Sequence, residues 1–128
     1  MSQINTTGAK AFITAVAALT RYQRVALNGS GQLVVAGEDE LSIGFVEGFV
    51  GAGADVAVGD SITVRLLTSA GTFKAIVNEA VAAGASLYGA ADGEVQDTDP
   101  GSGTIRFLAL EAGSADGSVI EILPLVLN

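Results

Sequence analysis

The second half of this 128-residue chain restates the first. Displaced by about 62 positions, Gly31-Gln32-Leu33 falls on Gly93-Glu94-Val95, and Ile43-Gly44-Phe45-Val46 falls without a gap on Ile105-Arg106-Phe107-Leu108. Gly51 then meets Gly113. Past a deletion of about five residues in the second copy, Ser61-Ile62-Thr63-Val64 meets Ser118-Val119-Ile120-Glu121. Each copy reads as an apolar strand, a glycine turn, an acidic loop, an apolar strand, a Gly-rich loop and an alternating strand. The matched order of strands and turns, more than the few identities, makes the repeat credible. It leaves open whether the copies pack as one barrel or as two lobes.

Composition narrows the core and the chemistry. Apolar residues reach 49%, but aromatics are only 5% and Trp is absent, so Val, Ile, Leu and Ala must supply the core. Such a core is thin, and 17 glycines add backbone entropy that folding must overcome. Some apolar surface is therefore expected to be covered by a partner. Histidine and cysteine are both absent, which removes the commonest general base, the commonest transition-metal ligand and any disulfide framework. Net charge is −8, with the six Lys and Arg residues scattered, so no basic patch exists to neutralise phosphates. Nucleic acid and anionic membranes are not expected partners.

Ala11 to Leu19 is the one run resembling a signal-peptide core. Its leading segment carries a single Lys10 where a secretory signal wants a basic start. No run reaches the ~18 apolar residues of a membrane span. The chain reads as soluble and uncleaved.

Along the chain, Ser2 to Gly8 is uncharged, polar and strand-prone, either a frayed terminus or an extended arm awaiting a neighbour. Phe12 to Ala18 suits a buried strand, with a short helix as the alternative. Arg24 to Leu27, the turn Asn28-Gly29-Ser30-Gly31 and Gln32 to Ala36 form a hairpin. Leu41, Ile43 and Phe45 alternate as a half-buried strand, and Ile62, Val64 and Leu66 give the cleanest period-two signal. Thr72 to Val77 is a further strand, and Asn78 to Gly84 reads as one helical turn closed by glycine. In the second copy Ile105 and Phe107 face one way, Leu108 and Leu110 the other. Ser118 to Leu125 is the last strand, and Pro124 places it at an edge. About nine short strands suit an all-β protein, a small barrel or sandwich built from the pseudo-repeat. Residues 1–18 form an arm and leading strand. Residues 19–128 form a single β domain whose halves span about 22–67 and 84–125.

Motifs for chemistry are weak. Gly48-Phe49-Val50-Gly51-Ala52-Gly53 lacks the helix and distal acid of a dinucleotide loop. The acids Asp92, Asp97 and Asp99, or Glu38, Asp39 and Glu40, do not match a calcium-loop spacing and read as solvated turns. Asn5-Thr6-Thr7 and Asn28-Gly29-Ser30 satisfy a glycosylation sequon, the second better read as a turn. Hydroxyl nucleophiles lack a base, and few aromatics exist to line a carboxylate cleft. The reading is a non-enzyme without cofactor or metal.

Several segments together resemble a known family. They are Tyr22-Gln23-Arg24-Val25-Ala26-Leu27, Ser42-Ile43-Gly44-Phe45-Val46-Glu47-Gly48 and Asp60-Ser61-Ile62-Thr63-Val64-Arg65-Leu66. Ala82-Ala83-Gly84-Ala85-Ser86-Leu87-Tyr88, Leu108-Ala109-Leu110-Glu111-Ala112 and Val119-Ile120-Glu121-Ile122-Leu123-Pro124-Leu125 complete the set. In this order they resemble the small Ala/Gly-rich capsid cement, or head-decoration, proteins of tailed bacteriophages. The resemblance implies a β-rich module made in the host cytoplasm and carried on the outer surface of the mature capsid. It also implies a homotrimer whose partner is the major capsid protein.

Two sets of residues are expected to carry such a role. An arm of Gln3, Ile4, Asn5, Thr6 and Thr7, with Phe12 behind it, would add to a sheet edge of the shell. Leu108, Leu110, Leu123 and Leu125 would form the oligomer interface, because the final strands are apolar on both faces. The competing expectation is a surface or fibre β-module that binds glycan or Ca²⁺.

Overall fold

The computed structural model describes residues 8–48 and 56–125. Ten strands form in order: β1 (Ala9–Ile13), β2 (Arg24–Leu27), β3 (Leu33–Val35), β4 (Gly44–Gly48) and β5 (Ser61–Leu66). They continue as β6 (Phe73–Ile76), β7 (Ser86–Gly89), β8 (Val95–Gln96), β9 (Phe107–Ala109) and β10 (Val119–Pro124). A 3-10 turn, Ala91–Gly93, links β7 to β8. The all-β expectation is met.

The strands sort into two antiparallel five-stranded sheets, ordered β1-β5-β4-β2-β3 and β6-β10-β9-β7-β8. The second order is the first with every strand number raised by five, so the repeat is a repeat of topology. Each sheet curls until its two ends meet. Thr14, just past β1, makes a parallel bridge to Leu33 of β3, and Val77, just past β6, makes the same bridge to Val95 of β8. Each half is thus a small barrel.

Loop chemistry repeats with the strands. The Thr14 N–H donates to the Asp60 carbonyl at 3.0 Å and the Gly59 N–H to the Thr14 carbonyl at 2.9 Å. Val77, Ser118 and Gly117 repeat this pair at 2.9 and 2.8 Å. The Asp60 carboxylate accepts from the Ala57 N–H, and the Ser118 hydroxyl accepts from the Ala115 N–H. Before β2 and β7 the backbone turns through the left-handed region at Tyr22 (φ 71) and Gly84 (φ 83).

Strand pairing corrects the register read from sequence. Gly44 and Phe45 pair with Leu66 and Arg65, whereas Phe107 and Leu108 pair with Pro124 and Leu123. Gly44 therefore corresponds to Phe107, and Phe45 to Leu108. The acidic loop of the second copy holds one extra residue, and every later position slips by one. In a strand that slip exchanges the two faces. Pairing also sets the start of the first copy earlier, at β1, which matches β6.

Three local expectations change as well. Asn78 to Gly84 forms no helix; Val81 makes an antiparallel bridge to Gly113 instead. β4 is buried at Gly44, Phe45 and Val46, on both faces, because a second barrel lies against its outer side. β10 is an interior strand. Pro124 is tolerated there because the β6 pairing ends at Ile122, so no acceptor waits where its N–H would point.

Each barrel has its own core. The first is built from Leu19, Val25, Leu33, Val46, Ile62 and Val64, with Phe12 and Val16 packed against it. The second is built from Phe73, Leu87, Val95, Phe107, Ile120 and Ile122, among others. It also takes in two side chains from the first half, Phe45 and Leu67. A chain poor in aromatics thus groups three of its rings at one place.

Candidate functional site

The barrels join where the outer face of the first sheet meets the turn between β7 and β8. Arg24 on β2 alternates with the core residue Val25, so its side chain points away from its own barrel. It is 1% exposed. Its guanidinium donates to four backbone carbonyls: Glu94 at 2.9 Å, Ala90 at 2.8 Å, Gly37 at 3.0 Å and Glu40 at 3.2 Å. Two acceptors belong to each half. Burial lowers the Arg24 pKa to about 10, partly offset by Glu40, so the group stays charged at neutral pH.

Backbone bonds complete the seam. The Gly93 N–H donates to the Ala36 carbonyl at 2.9 Å, and the Asp39 N–H to the Gly89 carbonyl at 3.0 Å. Gly93 has φ 71, and a Cβ there would come within 2.5 Å of Gln23 and 2.7 Å of the Arg24 carbonyl. Only glycine fits so close an approach. Beside it, Phe45 lies 5.6 Å from both Phe73 and Phe107, and the Arg65 guanidinium stacks 4.3 Å from the Phe73 ring.

Grooves of about 310 Å³ each border the junction. One is lined by Tyr22, Glu47, Arg65 and Lys74 over the buried Phe45 and Phe73. The other runs from Leu41 past Leu67 to Pro124 and Leu125. Its rim is openly apolar, with Leu41 71% exposed.

The four leucines expected at an interface do come together. Leu108 and Leu123 are direct cross-strand partners on β9 and β10. Both point away from the second core, as does Leu110 beyond β9. Leu110, Leu123 and Leu125 are 36–39% exposed. Val119 and Glu121 share the outer side of β10. The result is an apolar sheet face with nothing covering it among the described residues.

The proposed arm residues Gln3, Ile4, Asn5, Thr6 and Thr7 lie outside the described residues, as do most of the Gly48–Gly53 loop and the Asn5 sequon. Phe12 is half-buried against the first core, with the Lys10 ammonium 5.6 Å from its ring. Its packing gives it a place in the barrel.

The acidic loops are tied into turns. Asp99 accepts from the Gly101 and Gly103 N–H groups, Glu40 from Gly37, and Asp39 from the Ser102 hydroxyl. Hydrogen bonding to Asp97 holds the Glu79 carboxyl below its usual range, and the same bond raises Asp97. No group of three or more acidic side chains is placed to hold a metal among the described residues. Sequence reasoning missed Arg24 and Phe45 as junction residues. Their partners are distant in the chain, and an arginine in an apolar strand carries no local sign of where it turns.

No family model and no curated protein matches the chain. Its fold does match solved structures. One is the crystal structure of the N base of head fiber gp8.5 of bacteriophage phi29, with a TM-score of 0.68 and 18% identity. The match covers 91% of this chain and 92% of that one, so the likeness of fold takes in both barrels.

Proposed function

We propose that this chain is a phage head protein that decorates the outer surface of the mature capsid and stabilises it by bridging capsomers. The observation that carries the reading is the near full-length likeness to the N base of a phage head fiber. The uncovered leucine face supports it, since a decoration protein gains firm attachment when several weakly bound copies act together. In this reading the protein is a self-associating trimer and its partner is the major capsid protein. The uncharged segment Gln3 to Thr7 adds to a sheet edge of the shell through main-chain hydrogen bonds. Preference for the expanded shell follows from linkage, because a ligand that binds one state better stabilises that state.

Co-sedimentation with expanded and unexpanded phage heads tests this. Retention by expanded heads and release by unexpanded ones is the expected result. Equal retention by both, or by neither, would sink the reading. A calcium-dependent rise in melting temperature would instead favour a glycan- or Ca²⁺-binding fibre module.

A further inference from the structure

Within the chain, the outer face of the first sheet is covered by the second barrel, and among the described residues no barrel covers that of the second. Phe45, Arg65 and Leu67 lie against the second barrel. At the corresponding places in the second sheet stand Leu108, Leu123 and Leu125, the last two 37% and 36% exposed. The surface that does the covering shows the converse. The second barrel presents Phe73 and the turn Gly89–Gly93 to the first. The first barrel's counterparts are Lys10 and the hairpin Leu27–Gly31, and Lys10, Leu27, Gly29, Ser30 and Gly31 are all exposed. The junction is therefore head to tail. It uses each of two complementary faces once and leaves one of each over.

We propose that the leftover faces meet between copies of this chain. The leucine face of one molecule takes up the Lys10 edge and the Leu27–Gly31 hairpin of the next, repeating between molecules the junction inside each. Where the first sheet's outer side carries Arg65 and, at its exposed border, Glu47, the second carries Leu123 and Leu110. That exchange of charge for apolar surface suits a face buried by a partner. Glu111 and Glu121 flank the leucines, and Lys10 brings a cation to them. A head-to-tail contact closes into a ring when its rotation allows. The inference rests on the self-association in the proposed function and not on what the assembly binds.

The absence of cysteine lets single cysteines report the contact. Leu108→Cys and Lys10→Cys stand where Phe45 and Phe73 meet within the chain. Ala85→Cys and Ser30→Cys stand where the Gln23 side chain reaches the Asp92 carbonyl at 2.9 Å. Mixing the members of either pair under mild oxidation should give the mixed disulfide dimer, several-fold above the yield from either variant alone. Leu123→Asp should turn the wild-type oligomer into a folded monomer by analytical ultracentrifugation.

Two results would overturn the proposal: no mixed product from either pair when all four variants show wild-type circular dichroism, or a monomeric wild type at high micromolar concentration. If the mixed disulfide forms but the protein ignores expanded shells, the capsid reading fails and this one stands.

Discussion

Arg24 directs its side-chain hydrogen bonds at main-chain oxygens and, among the described residues, pairs with no carboxylate. Four carbonyls from two barrels converge on one guanidinium, a geometry that a planar fork of donors matches and an ammonium does not. Removing it leaves buried acceptors unpaired on both sides of the seam. Arg24→Ala should therefore cost about 3 kcal/mol or more, and Arg24→Lys should recover only a minor part. Urea denaturation monitored by circular dichroism measures both. Glu94, next to this cluster, works the other way. Burial raises its carboxyl pKa above 4.5, helped by Asp116 and Asp92, and its Oε2 has no partner among the described residues. A carboxyl with a raised folded pKa contributes stability that is fully present below about pH 4.5 and is lost as pH rises through the folded value. Glu94→Gln should then raise the melting midpoint near neutral pH, and the gain should vanish towards pH 4 in a series of thermal melts.

Strands were legible where burial alternates and obscure where it does not. Ile62 and Val64 announce β5 because one face is core while the other carries the polar Ser61, Thr63 and Arg65. β4 was read as half-buried from Leu41, Ile43 and Phe45, whereas a second barrel buries its outer face as well. The same effect concealed the one-residue slip that separates Phe45 from Phe107. Two phenylalanines in similar strings invite alignment, yet one fills its own barrel and the other crosses to its neighbour. That crossing makes β4 the element that couples the halves. Phe45→Ala should cost about 3–5 kcal/mol, in the range of large-to-small core substitutions. In differential scanning calorimetry it should also split a single transition into two, whereas Leu19→Ala in the first core alone should lower stability without splitting it.

For the whole molecule, the doubled topology was readable from the order of turns, while the joining of the copies was not. The contacts that join them come from single residues: Arg24 and Phe45, whose counterparts Ser86 and Leu108 are of another kind, and Gly93, whose counterpart Gly31 is a glycine left exposed. At this scale the arm makes a separate prediction. Deleting residues 2–8 should abolish retention by expanded capsids in co-sedimentation while the oligomer stays intact by size exclusion. Unchanged retention would move the contact to the barrels.

The bridges Thr14 to Leu33 and Val77 to Val95 have a consequence for how such a protein is kept in solution. A sheet that ends in a bare strand offers a template on which further strands stack, and fibrils grow by that route. By bringing each sheet's ends together, the bridges withdraw the template. What remains for association is side-chain surface, which is specific and reversible. A protein of this kind should therefore stay free of fibrils when accumulated at high concentration, which dye-binding and light-scattering assays would check.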